Sequence, residues 1–174
     1  MNTASERADE VPEMSLSEVS NILWRERQLL ELLVFKLEEE QLVLAAGRNR
    51  WLPHATREVE TVLAEIKRTE LERAVTLAGV AGEMQLSDAP SLRELASLAP
   101  PPWDGIFAEH RRALLALAQE IDGVAKANRD LLQRGQIATR EALHAIGEID
   151  IEAYNAAGAA TDRTLALRLV DEAI

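Results

Sequence analysis

An apolar repeat in the second half of the chain constrains the fold more than any other feature. It recurs every seven residues through Phe107, Leu114, Ile121, Asn128, Gly135 and Ala142. A companion series alternates with it at spacings of three and four, through His110, Leu117, Val124, Leu131, Ala138 and Ala145. This pattern places both series on one face of a long helix, as in a coiled coil. We call these positions the seam, and a seam needs a helical partner.

The composition favours an all-α fold with a single core. The chain has 174 residues, 3% aromatic residues and no cysteine. Ala, Leu, Glu and Arg are abundant, which is typical of long helices. The absence of cysteine excludes disulfides and thiolate catalysis, and it agrees with a reducing compartment. The net charge of −11 opposes binding to the phosphate backbone of nucleic acids.

Local signals predict two long helices in the first half. Ser15 and Glu18 have the spacing of a capping box, so we expect the first helix to begin there and to end at Gly47 in a left-handed cap. Pro53 suits the first turn of a second helix, which extends to about Met84. Because the connection is short, the two helices are expected to be antiparallel neighbours.

The second half is predicted to contain a connector and the longest helix. Residues 87–102 include a second capping box at Ser91 and Glu94, followed by three prolines. A third long helix then covers residues 104–146. We therefore predict a disordered acidic tail over 1–14, a helical domain over 15–147, and a flexible tail over 148–174 with a short apolar segment. The fold is an elongated antiparallel bundle or coiled coil of three long helices with a short connector helix.

The sequence contains no pattern typical of an enzyme, a cofactor site or a metal site. Glu141 and His144 match one half of the di-iron pattern of helical bundles, but a second Glu-x-x-His is missing. There is no glycine-rich phosphate loop and no nucleophile elbow. We predict no catalytic residue, no cofactor, no metal and no membrane insertion. The N-terminal stretch lacks the features of a secretion signal, so a cytoplasmic location is expected.

Two seam residues allow two interpretations each. Asn128 either fixes the register with a partner helix, at some cost in stability, or is a hydrogen-bonded asparagine within the molecule's own bundle. Gly135 costs about 1 kcal/mol relative to alanine in a helix. It either allows a close backbone approach or a bend, or it is a tolerated surface glycine.

The chain resembles the flagellar export chaperones of the FlgN type, on the basis of motifs in its last long helix and tail. The similarity covers about residues 16–158 and includes an Asn-x-x-Leu-Leu element at Asn128–Leu132 and a Tyr-Gly-x-x-Gly-like tail at Tyr154–Gly158. Gly135, Gln136, Ile137, Ala142 and Leu143 lie between these elements. Asn155 stands where the family usually has glycine, and Ala125 stands where many members have asparagine.

The resemblance implies an all-α cytoplasmic chaperone. Such a protein binds the C-terminal helices of hook-associated proteins at the hook-filament junction, prevents their early assembly and delivers them to the flagellar export gate. By position, the family's gate contact falls on Tyr154. An amphipathic cargo helix would lie on the exposed part of the seam. The expected cargo-binding residues are Leu117, Ile121, Val124, Asn128, Leu131, Leu132 and Gly135. Each has a rival interpretation as core, which we favour for Leu117 and Ile121. The alternative function is a structural coiled coil that self-associates through the seam without cargo, so a homo-oligomer is possible.

Overall fold

A computed structural model describes the backbone of residues 3–86 and 88–157 and the side chains of residues 15–86 and 88–146. Within these residues the chain forms four α-helices and no strand, which confirms the predicted all-α fold. The helices are α1 (Thr3–Ala45), α2 (Leu52–Glu83), α3 (Leu92–Leu98) and α4 (Trp103–Ala157), with a 3₁₀ turn over Asn49–Trp51 before α2. The chain divides into two units, Met1–Leu131 (unit 1) and Leu132–Ile174 (unit 2).

The turn between α1 and α2 is built around Gly47. Its φ of +62° is left-handed, as the sequence predicts for a helix cap. The Gly47 N–H donates to the Leu44 carbonyl at 3.1 Å, and the Arg48 N–H donates to the Val43 carbonyl at 3.0 Å. These two bonds form a Schellman motif, which satisfies carbonyls at the end of α1. Pro53 lies in the first turn of α2, where its missing N–H has no cost.

Alanine at Gly47 should destabilise the protein, whereas alanine at Gly79 should not. The left-handed conformation costs a residue with a Cβ about 1–2 kcal/mol. Gly79 lies within α2, and a Cβ there meets no atom within 4 Å. Gly79→Ala should therefore raise the free energy of unfolding by about 0.5–1 kcal/mol. Urea denaturation of both variants measures the difference. Equal midpoints for the two variants would contradict the cap geometry.

Helices α1 and α2 run antiparallel. Arg25 on α1 pairs with Glu72 on α2 at 2.7 Å, and Lys36 further along α1 pairs with Glu58 at 2.7 Å. As residue numbers rise on α1, they fall on α2. The predicted antiparallel hairpin is therefore observed.

Unit 1 has two apolar clusters. The first joins all four helices, because Leu95 of α3 and Phe107 of α4, both 0% exposed, pack with Leu23 of α1 and Val80 of α2. The second consists of residues from α1 and α2 with α4 side chains packed against it; its buried members are Leu33, Leu37, Val59, Val62 and Ile66. The first part of α4 thus completes the core that the hairpin begins.

Helix α3 is held by the capping box that the sequence predicts. The Ser91 hydroxyl accepts from the Glu94 N–H, and the Glu94 carboxylate accepts from the Ser91 N–H. Leu92 and Leu95 face the first cluster, whereas Leu98 is exposed. The connector therefore covers the core with two of its three leucines.

Two helix boundaries differ from the prediction. Helix α1 begins at Thr3, so Ser15 is inside it and donates a hydrogen bond to Glu83 rather than capping a terminus. Helix α4 continues through Gly147 to Ala157, because one glycine costs only about 1 kcal/mol within a helix of favourable neighbours. Gly158 and the apolar segment over residues 165–170 lie outside the described residues, and the division into domains stays a prediction.

Candidate protein-binding surface on helix α4

The first half of the seam belongs to the core of unit 1. Phe107 is buried in the first cluster, and Leu114 packs against it. Ile121 and Val124 pack against the second cluster, and Leu117 is half-buried. For Ile121 and Val124, internal packing is therefore the observed role of the side chain.

Asn128 is a buried asparagine of the bundle. Its side chain is 3% exposed, and its Nδ2 donates to the Leu37 carbonyl at 2.9 Å and to Glu40 Oε2 at 3.1 Å. Glu40 also accepts from the Thr56 hydroxyl at 2.7 Å. This network links α1, α2 and α4, and a buried polar network fixes their relative register because a shifted helix would leave its members unpaired. Of the two interpretations of Asn128, the structure shows the intramolecular one.

His110 is a second buried polar residue of the seam. It is 1% exposed, its Nε2 lies 3.2 Å from the Ser20 hydroxyl, and the Trp24 ring meets it edge-on at 5.1 Å. Burial, with Arg27 adding to it, lowers the pKa of His110 below its ordinary value of 6.5. The imidazole is therefore neutral at physiological pH and serves as a packed core residue.

Acidification should destabilise the protein through His110. A histidine whose pKa is lower in the folded than in the unfolded state binds more protons when unfolded. The free energy of unfolding therefore falls as the pH drops below about 6.5 toward the lower folded pKa. Urea midpoints at pH values of about 7.5 and 5.5 should differ less for His110→Gln than for the native chain. The same difference in both proteins would contradict this role.

Glu26 changes the pH dependence of the free energy of unfolding in the direction opposite to His110. The native chain must therefore be compared with His110→Gln. Glu26 is 5% exposed, and burial raises its pKa while Arg73, at 3.3 Å, opposes the rise. A carboxyl whose folded-state pKa is raised costs stability at high pH, and protonation removes that cost as the pH falls. Only the difference between the native chain and His110→Gln in how the urea midpoint changes with pH gives the contribution of the histidine.

In unit 2 the described side chains, residues 132–146, are all exposed along α4. Leu132 is 37% exposed, Leu143 66% and Ile146 64%. Spacings of eleven and fourteen residues bring Leu143 and Ile146 back to the side of the helix that carries Leu132. Gly135 is three residues after Leu132 on the same side, and a Cβ there meets no atom within 4 Å. We call Leu132, Gly135, Leu143 and Ile146 the leucine face.

The leucine face differs from the heptad positions of the sequence analysis. A straight α-helix drifts by about 20° per heptad from a strict seven-residue repeat. On this side of α4 in unit 2 the large apolar side chains are Leu132, Leu143 and Ile146 rather than residues at the heptad positions, which are Gly and Ala. Leu131, at the end of unit 1, is half-buried. Tyr154 lies within the backbone of α4, and its side chain is outside the described residues.

Helix α1 carries an exposed apolar stripe that was not predicted from the sequence. Trp24, Leu32, Phe35 and Leu42 are all at least 41% exposed. Their spacings of eight, three and seven residues place them on one side of the helix. The sequence does contain a signal for this stripe. Its four apolar residues lie outside the leucine heptad that forms the buried side of α1.

The described residues contain no grouping of three or more His, Cys, Asp or Glu side chains that would hold a metal ion. Glu141 and His144 are both exposed on α4. None of the described helices is long and apolar enough to cross a membrane.

The chain was compared with models of known protein families. The model of the FlgN protein family matches residues 14–162. The chain belongs to the FlgN family. FlgN proteins are flagellar export chaperones that bind export substrates, and this is the general role of the chain. The match includes the Asn128–Leu132 element, the leucine face and Tyr154. Neither curated proteins nor solved structures give a match.

Proposed function

We propose that the protein binds the C-terminal helices of hook-associated proteins in the cytoplasm, holds them before assembly and delivers them to the export gate. The observation that carries this proposal is the leucine face. Its apolar side chains are exposed, whereas the earlier seam positions are used by the core. An amphipathic cargo helix would cover this face in the helix-in-groove mode.

The proposed contact residues are Leu131, Leu132 and Gly135 from the sequence analysis, extended by Leu143 and Ile146. Gly135 has no side chain, and the open space around it allows a partner helix to approach the backbone closely. The Thr139 hydroxyl donates a hydrogen bond to the Gly135 carbonyl at 2.9 Å, so a side chain of the same helix supplies a hydrogen bond to this carbonyl oxygen. Ile121, Val124 and Asn128 then contribute by holding α4 against α1 and α2 in unit 1, and Leu117 is half-buried.

Binding to a synthetic peptide from the C-terminus of a hook-associated protein tests the proposal. We expect saturable binding by calorimetry and, in light scattering, a particle whose mass increases by the mass of the peptide. A stable dimer that ignores the peptide would contradict cargo binding. It would support the alternative function, a structural coiled coil that self-associates through the seam without cargo.

The proposed gate contact is Tyr154, by its position in the family element. Tyr154→Ala should leave peptide binding within about twofold, because Tyr154 is not one of the proposed contact residues, and it should reduce export in cells. Secretion of hook-associated proteins into the medium measures this effect. Normal secretion with the variant at normal cellular levels would contradict the gate contact.

A further inference from the structure

Three arginines line a groove on unit 1 that is separate from the leucine face. Arg93 of α3 and Arg111 and Arg112 of α4 face an open cavity of about 600 Å³. The lining side chains include no carboxylate, in a chain whose net charge is −11. We call this cavity the arginine groove. It is a local positive site on an acidic molecule.

The guanidinium groups of the groove have no direct carboxylate partner among the described side chains. Among the described side chains, none of the three guanidinium groups forms an ion pair. Glu94, next to Arg93, is engaged by Ser91, whose hydroxyl and N–H lower the pKa of Glu94, with Arg93 adding to the effect. Glu109 lies 4.0 Å from Arg27. Glu94 and Glu109 thus make their shortest polar contacts with Ser91 and Arg27 rather than with the groove arginines.

The floor of the groove fits a helix. Ala108 and Ala116 lie two turns apart on α4, with the 49% exposed Leu115 beside them. Ala96 of α3 adds another small side chain. Small residues let a second helix approach closely, and an exposed leucine supplies an apolar contact at the centre. The α4 residues of the groove span 108–119, or about 16 Å, which is about three turns of a helix.

We propose that the arginine groove docks an acidic amphipathic α-helix of a partner protein, with glutamates or aspartates on both sides of an apolar row. Guanidinium groups pair with carboxylates in a planar, two-point geometry. An extended polyanion such as nucleic acid or an anionic membrane would also meet the negative remainder of the chain. A short acidic helix confines its charge to the groove. The surface is independent of the proposed cargo site.

Fluorescence anisotropy with a designed probe tests this proposal on the full chain. The probe is a labelled helical peptide of about four turns with a leucine row flanked by glutamates, and its partner peptide has glutamine at each glutamate. We expect the acidic peptide to bind about tenfold more tightly than the glutamine peptide, and added salt to reduce this difference. Arg111→Glu with Arg112→Glu should weaken binding about tenfold or more.

A matched control uses exposed arginines outside the groove. Arg48→Glu with Arg57→Glu makes the same charge change on the α1–α2 side of unit 1 and should change affinity by less than about twofold. Equal losses for the two double variants would overturn the proposal, because only net charge would matter. So would equal binding of the two peptides.

Two other occupants give distinct results that also overturn the proposal. Binding of pyrophosphate with no binding of the acidic peptide would assign the groove to a small anion. A concentration-dependent dimer that Arg111→Glu with Arg112→Glu abolishes, without peptide binding, would assign it to a second copy of the chain. Because Leu132→Asp should leave acidic-peptide binding unchanged, failure here is distinguishable from failure of the cargo site.

Discussion

Replacing both Leu132 and Leu143 with aspartate is expected to weaken binding of the cargo peptide at least about a hundredfold. Burying one leucine contributes about 1.5–3 kcal/mol, so two contribute about 3 kcal/mol or more, and each tenfold in affinity is about 1.4 kcal/mol. Both side chains are exposed in the free protein, so the helical circular dichroism signal should be unchanged. Calorimetric titration with the peptide measures the loss. Leu131 is less suitable for this test because it is half-buried.

Ile137→Asp is the matched control for the leucine face. Ile137 is 48% exposed and lies on the same stretch of α4, but five residues after Leu132, or about 140° around the helix. Its substitution should leave peptide affinity within about twofold. If Ile137→Asp weakens peptide binding as much as the double leucine variant does, the peptide does not bind specifically to the leucine face.

Phe107→Ala should destabilise the fold by about 3–5 kcal/mol. The Phe107 side chain is 0% exposed within the cluster that joins all four helices, and its ring stacks on Trp103 with 6.0 Å between centroids. Removing the ring leaves a cavity that the surrounding helices fill only in part. Urea denaturation followed by circular dichroism measures the change in free energy of unfolding.

The chain provides its own control, because its other phenylalanine is on the surface. Phe35 is 51% exposed, and Lys36 lies 5.2 Å from its ring centroid. Phe35→Ala should cost less than about 1 kcal/mol. If the two alanine variants have the same stability, the docking of α4 on the α1–α2 hairpin in the first cluster is not what stabilises unit 1.

Local signals predicted the features that depend on a few neighbouring residues. Gly47 ends α1 in a left-handed turn, Pro53 begins α2, and Ser91 with Glu94 caps α3. Each acts through backbone hydrogen bonds or φ within four residues, so no distant contact is needed to decide it. The capping box at Ser15 shows the limit, because the same pattern within a continuing helix is not used as a cap.

The sequence does not show which positions of the seam are buried in the molecule's own core. The seven-residue repeat runs unbroken through both units, yet Ile121 packs against the unit 1 core while the seam positions in unit 2, which are Gly and Ala, are exposed. Asn128 was ambiguous for the same reason, since only its distance to Leu37 and Glu40 decides whether its amide is satisfied within the molecule. The arginine groove was not predicted, because Arg93 comes together with Arg111 and Arg112 only when α3 folds onto α4.

The amino-acid sequence by itself determined the helices, their turns and the apolar sides they must bury, because these follow from local backbone preferences and from periodicity. It also carried the family pattern that the FlgN match bears out. Only the tertiary structure decided which apolar side chains are already covered and which are open to a partner. Burial depends on which residues distant in sequence come into contact, and a repeat along one helix does not contain that information.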